Sequence, residues 1–355
     1  MKLKIHHKQS GIALIVVLIV VVVLGILAGG FAYSMRVETT LARRASFSSE
    51  LDWIGRAGVA YGQWILSQGC PSEPYDALNQ VWAGGPGCLC TNEAVEATVQ
   101  VGNGSFTWKI KDMDRYFNIN RADETILSQA LTLIGVDAGS MTTVANSILD
   151  WRDNDKNPRM SGTESEVYEQ RDPPHLAKDG PIDDLSELLL IRGVTPNMYS
   201  ASYGGRTTQP IDRRMGQQSV FEEPTYALHL DELFSPLSGP AVNINTAPAA
   251  VLQLVTVIDE NIAQAIIQAR SGPNGQDGDC DDTPFRNPSE VVARVPGLPI
   301  DPNALARFFS VRSQVFEVEI TASSGGASRV YIAIIRRMGS TGRVMNARIL
   351  NLYWR

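Results

Sequence analysis

Two short runs of this chain space oxygen donors as a hard cation would need them. The first reads Asp153-Asn154-Asp155-Lys156-Asn157, with Glu164 following. Counting Asp153 as position one, donors fall at one, three, five and twelve, the spacing of a calcium loop. Pro158 stands where such a loop needs a sharp-turn Gly, so the run is not a true EF-hand. Glu166 and Asp172 could add donors. The second run, Asp277-Gly278-Asp279-Cys280-Asp281-Asp282, alternates donors without a Glu at twelve. Alternation lets successive side chains bend inward on one ion. One or two calcium ions are therefore expected, with ligands drawn from Asp153, Asp155, Asn157, Glu164, Glu166, Asp277, Asp279, Asp281 and Asp282. The plainer reading is two solvated acidic loops.

Other chemistry is poorly supported. Of four histidines, His6 and His7 lie near the N-terminus, His175 in a Pro-rich loop and His229 in an apolar run. Neither of the last two has a Ser or Cys partner in a recognised arrangement, so an enzyme is not expected. The four cysteines are Cys70, Cys88, Cys90 and Cys280. They allow three full disulfide pairings, and Cys70 with Cys88 or Cys90 would close a loop rich in Gly and Pro. A zinc site fits poorly, because Cys88-Leu89-Cys90 has no His nearby. The net charge of −7 and pI near 5.2 argue against a nucleic-acid partner.

These loops need a scaffold, and hydrophobic periodicity outlines one. Gly11 to Tyr33 carries no charged side chain and is long enough to cross a bilayer as a helix. Beyond it, Leu51, Ile54, Gly58, Tyr61 and Ile65 fall on one helical face, and Gly69-Cys70-Pro71 ends the pattern. One helix from Ile12 to about Ser67 is expected, half in lipid and half packed on a folded body. Ala94 to Val101 and Ser105 to Lys111 read as strands about the Gly102-Asn103-Gly104 turn. Ser313 to Ala322, Val330 to Arg336 and Arg343 to Tyr353 read the same way.

Between the strand groups lies a helical region holding a degenerate repeat. Phe117-Asn118-Ile119-Asn120 opens one unit and Val242-Asn243-Ile244-Asn245 the other. Each continues into paired helices, an acidic loop and a further helix, ending near Gly193 and Gly297. The second opening looks like a helix-hairpin-helix, but its turn Thr256-Val257-Ile258-Asp259-Glu260 lacks Gly and would repel phosphate. The expected class is α+β: residues 12–67 as transmembrane and stem helix, 68–117 plus 310–355 as a small antiparallel body, and 118–309 as a helical insertion.

The N-terminal junction has three readings: a secretory signal cut near Ala28-Gly29-Gly30, a plain membrane anchor, or a leader cut after Gly11 that leaves the helix in place. Lys2, Lys4 and Lys8 precede the helix while Arg36, Arg43 and Arg44 follow it, so the positive-inside count is a tie. The short basic leader, Gly11 at the boundary and the uninterrupted run from Ile12 resemble type IV pilin-like leaders, with residues 1–11 as the leader peptide. Most such proteins carry Glu at the fifth mature position, where this chain has Val16. Lack of that Glu, which is thought to pair with a neighbour's N-terminal amine, marks the K-type minor pseudopilins of type II secretion. The chain resembles that family also in FNIN, the segment from Asp150 to Pro174, PIDDLSELLLIRGV and VNINTAP.

The resemblance implies a pilin-like fold with a large helical insertion and calcium in the helical domain. It implies a place at the pseudopilus tip, initiating or capping assembly for export of folded proteins from the periplasm across the outer membrane. Expected partners are the I-type and J-type minor pseudopilins, then the major pseudopilin filament, with a prepilin peptidase processing the leader. The expected location is the inner membrane, single-pass, N-terminus cytoplasmic and bulk periplasmic. The rival expectation is a membrane-anchored periplasmic metal-dependent hydrolase or binding protein.

Overall fold

A computed structural model of the chain describes residues 10–68, 73–87, 96–202, 226–298, 301–339 and 346–355. Helix α1 runs unbroken over Ser10–Ser67. From Leu14 to Leu27 its large apolar side chains are 48–72% exposed, so no other described part of the chain covers them. This one helix is long and apolar enough to span a membrane.

The second half of α1 packs on an antiparallel sheet. Its strands are β1 (Thr98–Val101), β2 (Gly104–Asp112), β7 (Val315–Ser324), β8 (Ala327–Met338) and β9 (Asn346–Trp354), in the order β1-β2-β7-β8-β9. The alternation read in sequence survives as Phe106 and Ile110 on β2, and Val318, Ile320 and Ala322 on β7, all facing the helix core with Leu51, Ile54 and Ile65. Gly55, Gly58 and Gly62 lie against this sheet. A Cβ added at any of them would collide with Tyr331, Ile320 or Val318 respectively. The missing side chains thus let helix and sheet approach closely. From Phe47 to Gly62 the helix rises about 22 Å. From Gly325, beside Phe47, back to Val318, beside Gly62, the strand covers about 23 Å. The strands therefore run nearly along the helix axis.

The chain leaves the sheet after β2 and returns before β7. In between lie β3 (Phe117–Asn118), α2 (Glu124–Ile134), α3 (Ala138–Arg152), α4 (Ser165–Tyr168), α5 (Pro196–Tyr199), α6 (Leu230–Leu233), β4 (Phe234–Ser235), β5 (Val242–Asn243), α7 (Ala249–Leu252), α8 (Glu260–Arg270), α9 (Ser289–Arg294), α10 (Pro302–Phe308) and β6 (Phe309–Ser310). Two parallel two-residue ladders, β3 with β4 and β5 with β6, close the two halves. The same wiring recurs in each half. The Asn118 side chain accepts from Asn120 N, and that of Asn243 from Asn245 N. The Asn120 amide clasps the Ile182 backbone at 2.7 and 2.8 Å, and the Asn245 amide clasps Phe285 at 2.9 Å in both directions. Arg152 donates to the carbonyls of Ile119 and Ala122, and Arg270 to those of Ile244 and Ala247. The first helix after the VNIN opening, α7, is a single turn, because Leu254 and Val255 are taken up in turns on Val251 and Leu252.

The helical lobe has its own core, to which Tyr75 and Ala77 also belong, while Trp82 packs under the sheet on Phe316. A buried polar seam joins the two cores. Arg337 at the end of β8 pairs with Asp76, each about 5% exposed at the side chain. Asn243 donates to Asp76 O, Asp112 Oδ2 and Ser313 Oγ at 3.0, 3.3 and 2.7 Å. Asp114 accepts from the backbone of Gly239 and Gln314, each at 2.7 Å. Burial, and then the neighbouring Asp114, push the Asp112 carboxyl up to about 7.

Two outcomes follow from this packing. Gly58→Val should destabilise the body by about 1–3 kcal/mol in chemical denaturation followed by Trp fluorescence. Ala60→Val, on the exposed face of the same helix, should change it by about 0.5 kcal/mol or less. Arg337→Met, which strands the buried Asp76 charge, should cost about 3–5 kcal/mol. Adding Asp76→Asn to it should recover part of that loss, as a double-mutant cycle would show.

Candidate metal centre

Helix α3 delivers the first acidic loop. Asp137 caps its start and Asp153 takes the C-cap position, so the chain turns away directly after Arg152. Arg152 is itself anchored on Ile119 and Ala122, which fixes the end of the helix. Asp150, one turn back and fully buried, accepts from Arg159 Nη1 and Thr163 N at 2.8 Å. These bonds fold the segment from Arg159 to Thr163 over the helix end and bring Glu164 back to Asp153.

The result is a group of three carboxylates. Asp153, Asp155 and Glu164 each offer an oxygen, and all three lie within 4.8 Å of one another. The Asp155 side chain also accepts from Asn157 N at 2.8 Å, which orients it. Asp153 Oδ1 and Glu164 Oε1 are buried without a hydrogen-bond partner. Buried carboxylate oxygens normally find donors, so these two could accept a cation, while Arg159 bonds Asp153 through its other oxygen. Burial, and then the charges of Asp150, Asp153, Asp179 and Asp155, push the Glu164 carboxyl up to about 7. This group could hold a metal ion, and its all-oxygen donor set suits a hard one.

Of the expected loop residues, Glu166 and Asn157 are exposed, and Glu166 is outside the three-carboxylate group. Asp179 was not expected. It adopts φ of 51° beside Gly180, and its Oδ1 is likewise buried without a partner. It stands fifteen residues after Glu164, beyond the span of any loop motif, so only the fold brings its charge near.

The second loop is differently arranged. Asp277 is engaged by Arg270, with Nη2 to Oδ2 at 2.7 Å and Nε to Oδ1 at 3.1 Å. Asn274 donates its amide to both Asp279 and Asp281. Asp282 accepts from Gly278 N at 2.7 Å through Oδ2, while its buried Oδ1 has no partner. Burial raises its pKa. Cys280 is disulfide-bonded. Cys70, Cys88 and Cys90 lie outside the described residues, as do residues 1–9 of the expected leader, and the side chain of Ile12 is not described. Val16 is described, and is exposed on the span.

Comparison with known proteins agrees with this architecture. Residues 108–202 match a family model described as type II secretion system (T2SS), protein K. Type II secretion system protein K of Klebsiella pneumoniae is 26% identical over 209 residues, covering 55% of this chain and 61% of that protein. The chain thus aligns with about three-fifths of that relative's length. The protein of the same name from Pseudomonas aeruginosa is 24% identical over 347 residues, covering 95% of this chain and 91% of the relative. Among solved structures, the GspK-GspI-GspJ complex of the enterotoxigenic Escherichia coli type 2 secretion system contains a chain of similar fold. The TM-score is 0.64 at 17% identity, covering 88% of this chain and 99% of that one. The chain is thus similar to type II secretion system protein K over residues 108–202 and in the wider alignments, and it shares the fold of that solved chain.

Proposed function

We propose that this chain is the minor pseudopilin at the tip of the type II secretion pseudopilus, where it initiates and caps assembly. The observation that carries this reading is the unbroken rod of α1, uncovered over its apolar half and locked by Gly55, Gly58 and Gly62 to a small sheet over the other. Such a rod suits packing among other rods while its body stays outside the bilayer. Residues 12–67 are the membrane and stem segment, 68–117 plus 310–355 the pilin-like body, and 118–309 an insertion of two degenerate helical repeats. The insertion projects from the end of the sheet and would block a further subunit from stacking there. Val16 in place of an acid agrees with a leading position, since an unpaired carboxylate in lipid is costly. The solved relative is a complex with GspI and GspJ, and by analogy the I-type and J-type subunits are the partners here, followed by the major filament.

A prepilin peptidase would cut after Gly11, with the N-terminus cytoplasmic and the body periplasmic. The mature chain extracted from membranes should begin at Ile12 by N-terminal sequencing; a start at Met1 or Phe31 would overturn the reading. Deleting residues 118–309 while keeping the sheet should let the protein enter along the filament, seen by crosslinking to the major subunit. Incorporation still confined to the tip would remove the steric cap.

Calcium is the proposed occupant of the first acidic site, held by Asp153, Asp155 and Glu164, with Asp150 and Asp179 adding negative field. Asp279, Asp281 and Asp282 are the candidates for a second ion, Asp277 being held by Arg270. Chelation should lower the melting temperature, and Asp153→Ala should shrink that shift. The pH dependence has a definite sign. Glu164 is raised from 4.5 to about 7 in the fold, so the native state holds the extra proton over that window. Without calcium, stability should therefore fall as pH rises from about 4.5 towards 7. Saturating calcium should remove this part of the decline, and Glu164→Gln should remove it without calcium, as followed by thermal melts.

A further inference from the structure

The outer face of the sheet carries a pair of arginines with no ion-pair partner among the described residues. Arg336 on β8 and Arg348 on β9 stand directly opposite each other, and both are exposed. Ile335 faces the helix core, so strand alternation places Arg336, with Met338 two residues on, on the face away from α1. Like charges opposite each other in a ladder destabilise it. The other arginines of these strands are paired: Arg329 with Asp52 at 2.7 Å, Arg337 with Asp76, and Arg355, just beyond β9, with Glu319 at 3.1 Å. Among the described residues, no carboxylate meets Arg336 or Arg348. In a chain of net charge −7, acids were available to neutralise them.

Beside Arg336 the surface sinks into a cavity of about 320 Å³, with Ser313, Gln314, Arg337 and Met338 on its walls. Met338 is 45% exposed, so the patch is basic with an apolar border. The two charges sit on an open sheet face, where a flat protein surface can reach both at once. Carboxylates one helical turn apart, about 5–6 Å, would match the pair.

We propose that Arg336 and Arg348, with the cavity beside them, dock an acidic segment of a neighbouring pseudopilin subunit. The identity of that neighbour rests on the tip-subunit reading above; the charge chemistry does not. The test uses the full chain in detergent with the I-type and J-type subunits. Arg336→Gln and Arg348→Gln should each weaken the complex by about tenfold and make its affinity less sensitive to salt. Arg336→Glu combined with Arg348→Glu should abolish it. Each Gln variant should melt at or above the wild-type temperature, because cross-strand repulsion is relieved.

Wild-type affinity in the double charge reversal would overturn the docking site and leave the tip reading standing. Gln variants that melt several degrees lower while losing binding would make the pair structural, and would overturn it too. So would a melting shift of the wild type, absent from the double variant, with millimolar inorganic phosphate and unchanged subunit binding; that result assigns the pair to a small oxyanion. A wild-type chain that binds neither subunit would overturn both readings.

Discussion

The ion pair of Asp76 with Arg337 sits where the two cores meet, and the mutual placement of sheet and helical lobe depends on it. A buried pair contributes little net stability compared with apolar packing, yet losing one partner is costly. Such a contact therefore acts mainly on geometry. Asp76 also accepts from Ser313 N at 2.8 Å, and Arg337 donates to Ser313 O at 2.9 Å, so both ends of the pair grip a residue two positions before β7. Asn243, Asp112 and Thr246 tie the second half of the lobe into the same knot. An apolar interface of the same size would allow sliding; directional bonds to fixed strand ends do not.

Acidic side chains are used here in three different ways. At the seam they are buried and satisfied by backbone and hydroxyl donors. At helix starts, Asp123, Asp137, Asp259 and Asp301 accept from the first turns. Around Glu164 they face one another with oxygens left over. The last arrangement leaves oxygens of Asp153 and Glu164 unpaired, and Arg159 offsets part of its charge by pairing with Asp150 and Asp153. Composition alone does not separate these roles; the count of donors around each carboxylate does.

Much of the architecture was legible because it is periodic. The stem and the strands announce themselves through spacings of three, four and two, and the paired FNIN and VNIN openings map on to matching asparagine clasps. The first acidic loop was legible in Asp153, Asp155 and Glu164, whose spacing brings them to one helix end. Asp179 was not, since a left-handed turn far along the chain carries it in. The salt bridge of Asp277 was equally hidden, because its partner Arg270 ends a helix and shows no loop pattern. The seam draws residues from stretches near 76, 112, 243, 313 and 337, and no local rule reads across such distances. Arg336 and Arg348 are ordinary in sequence; only the strand register sets them face to face.

The lobe's two connections leave the sheet side by side, since Asp112 pairs with Phe316 and Met113 N donates to Val315 O at 2.9 Å. With strands lying nearly along the rod, an axial load on the stem would pass from helix to sheet as shear, resisted by many ladder bonds together. The lobe hangs outside that load path, like a cap fastened at one rim.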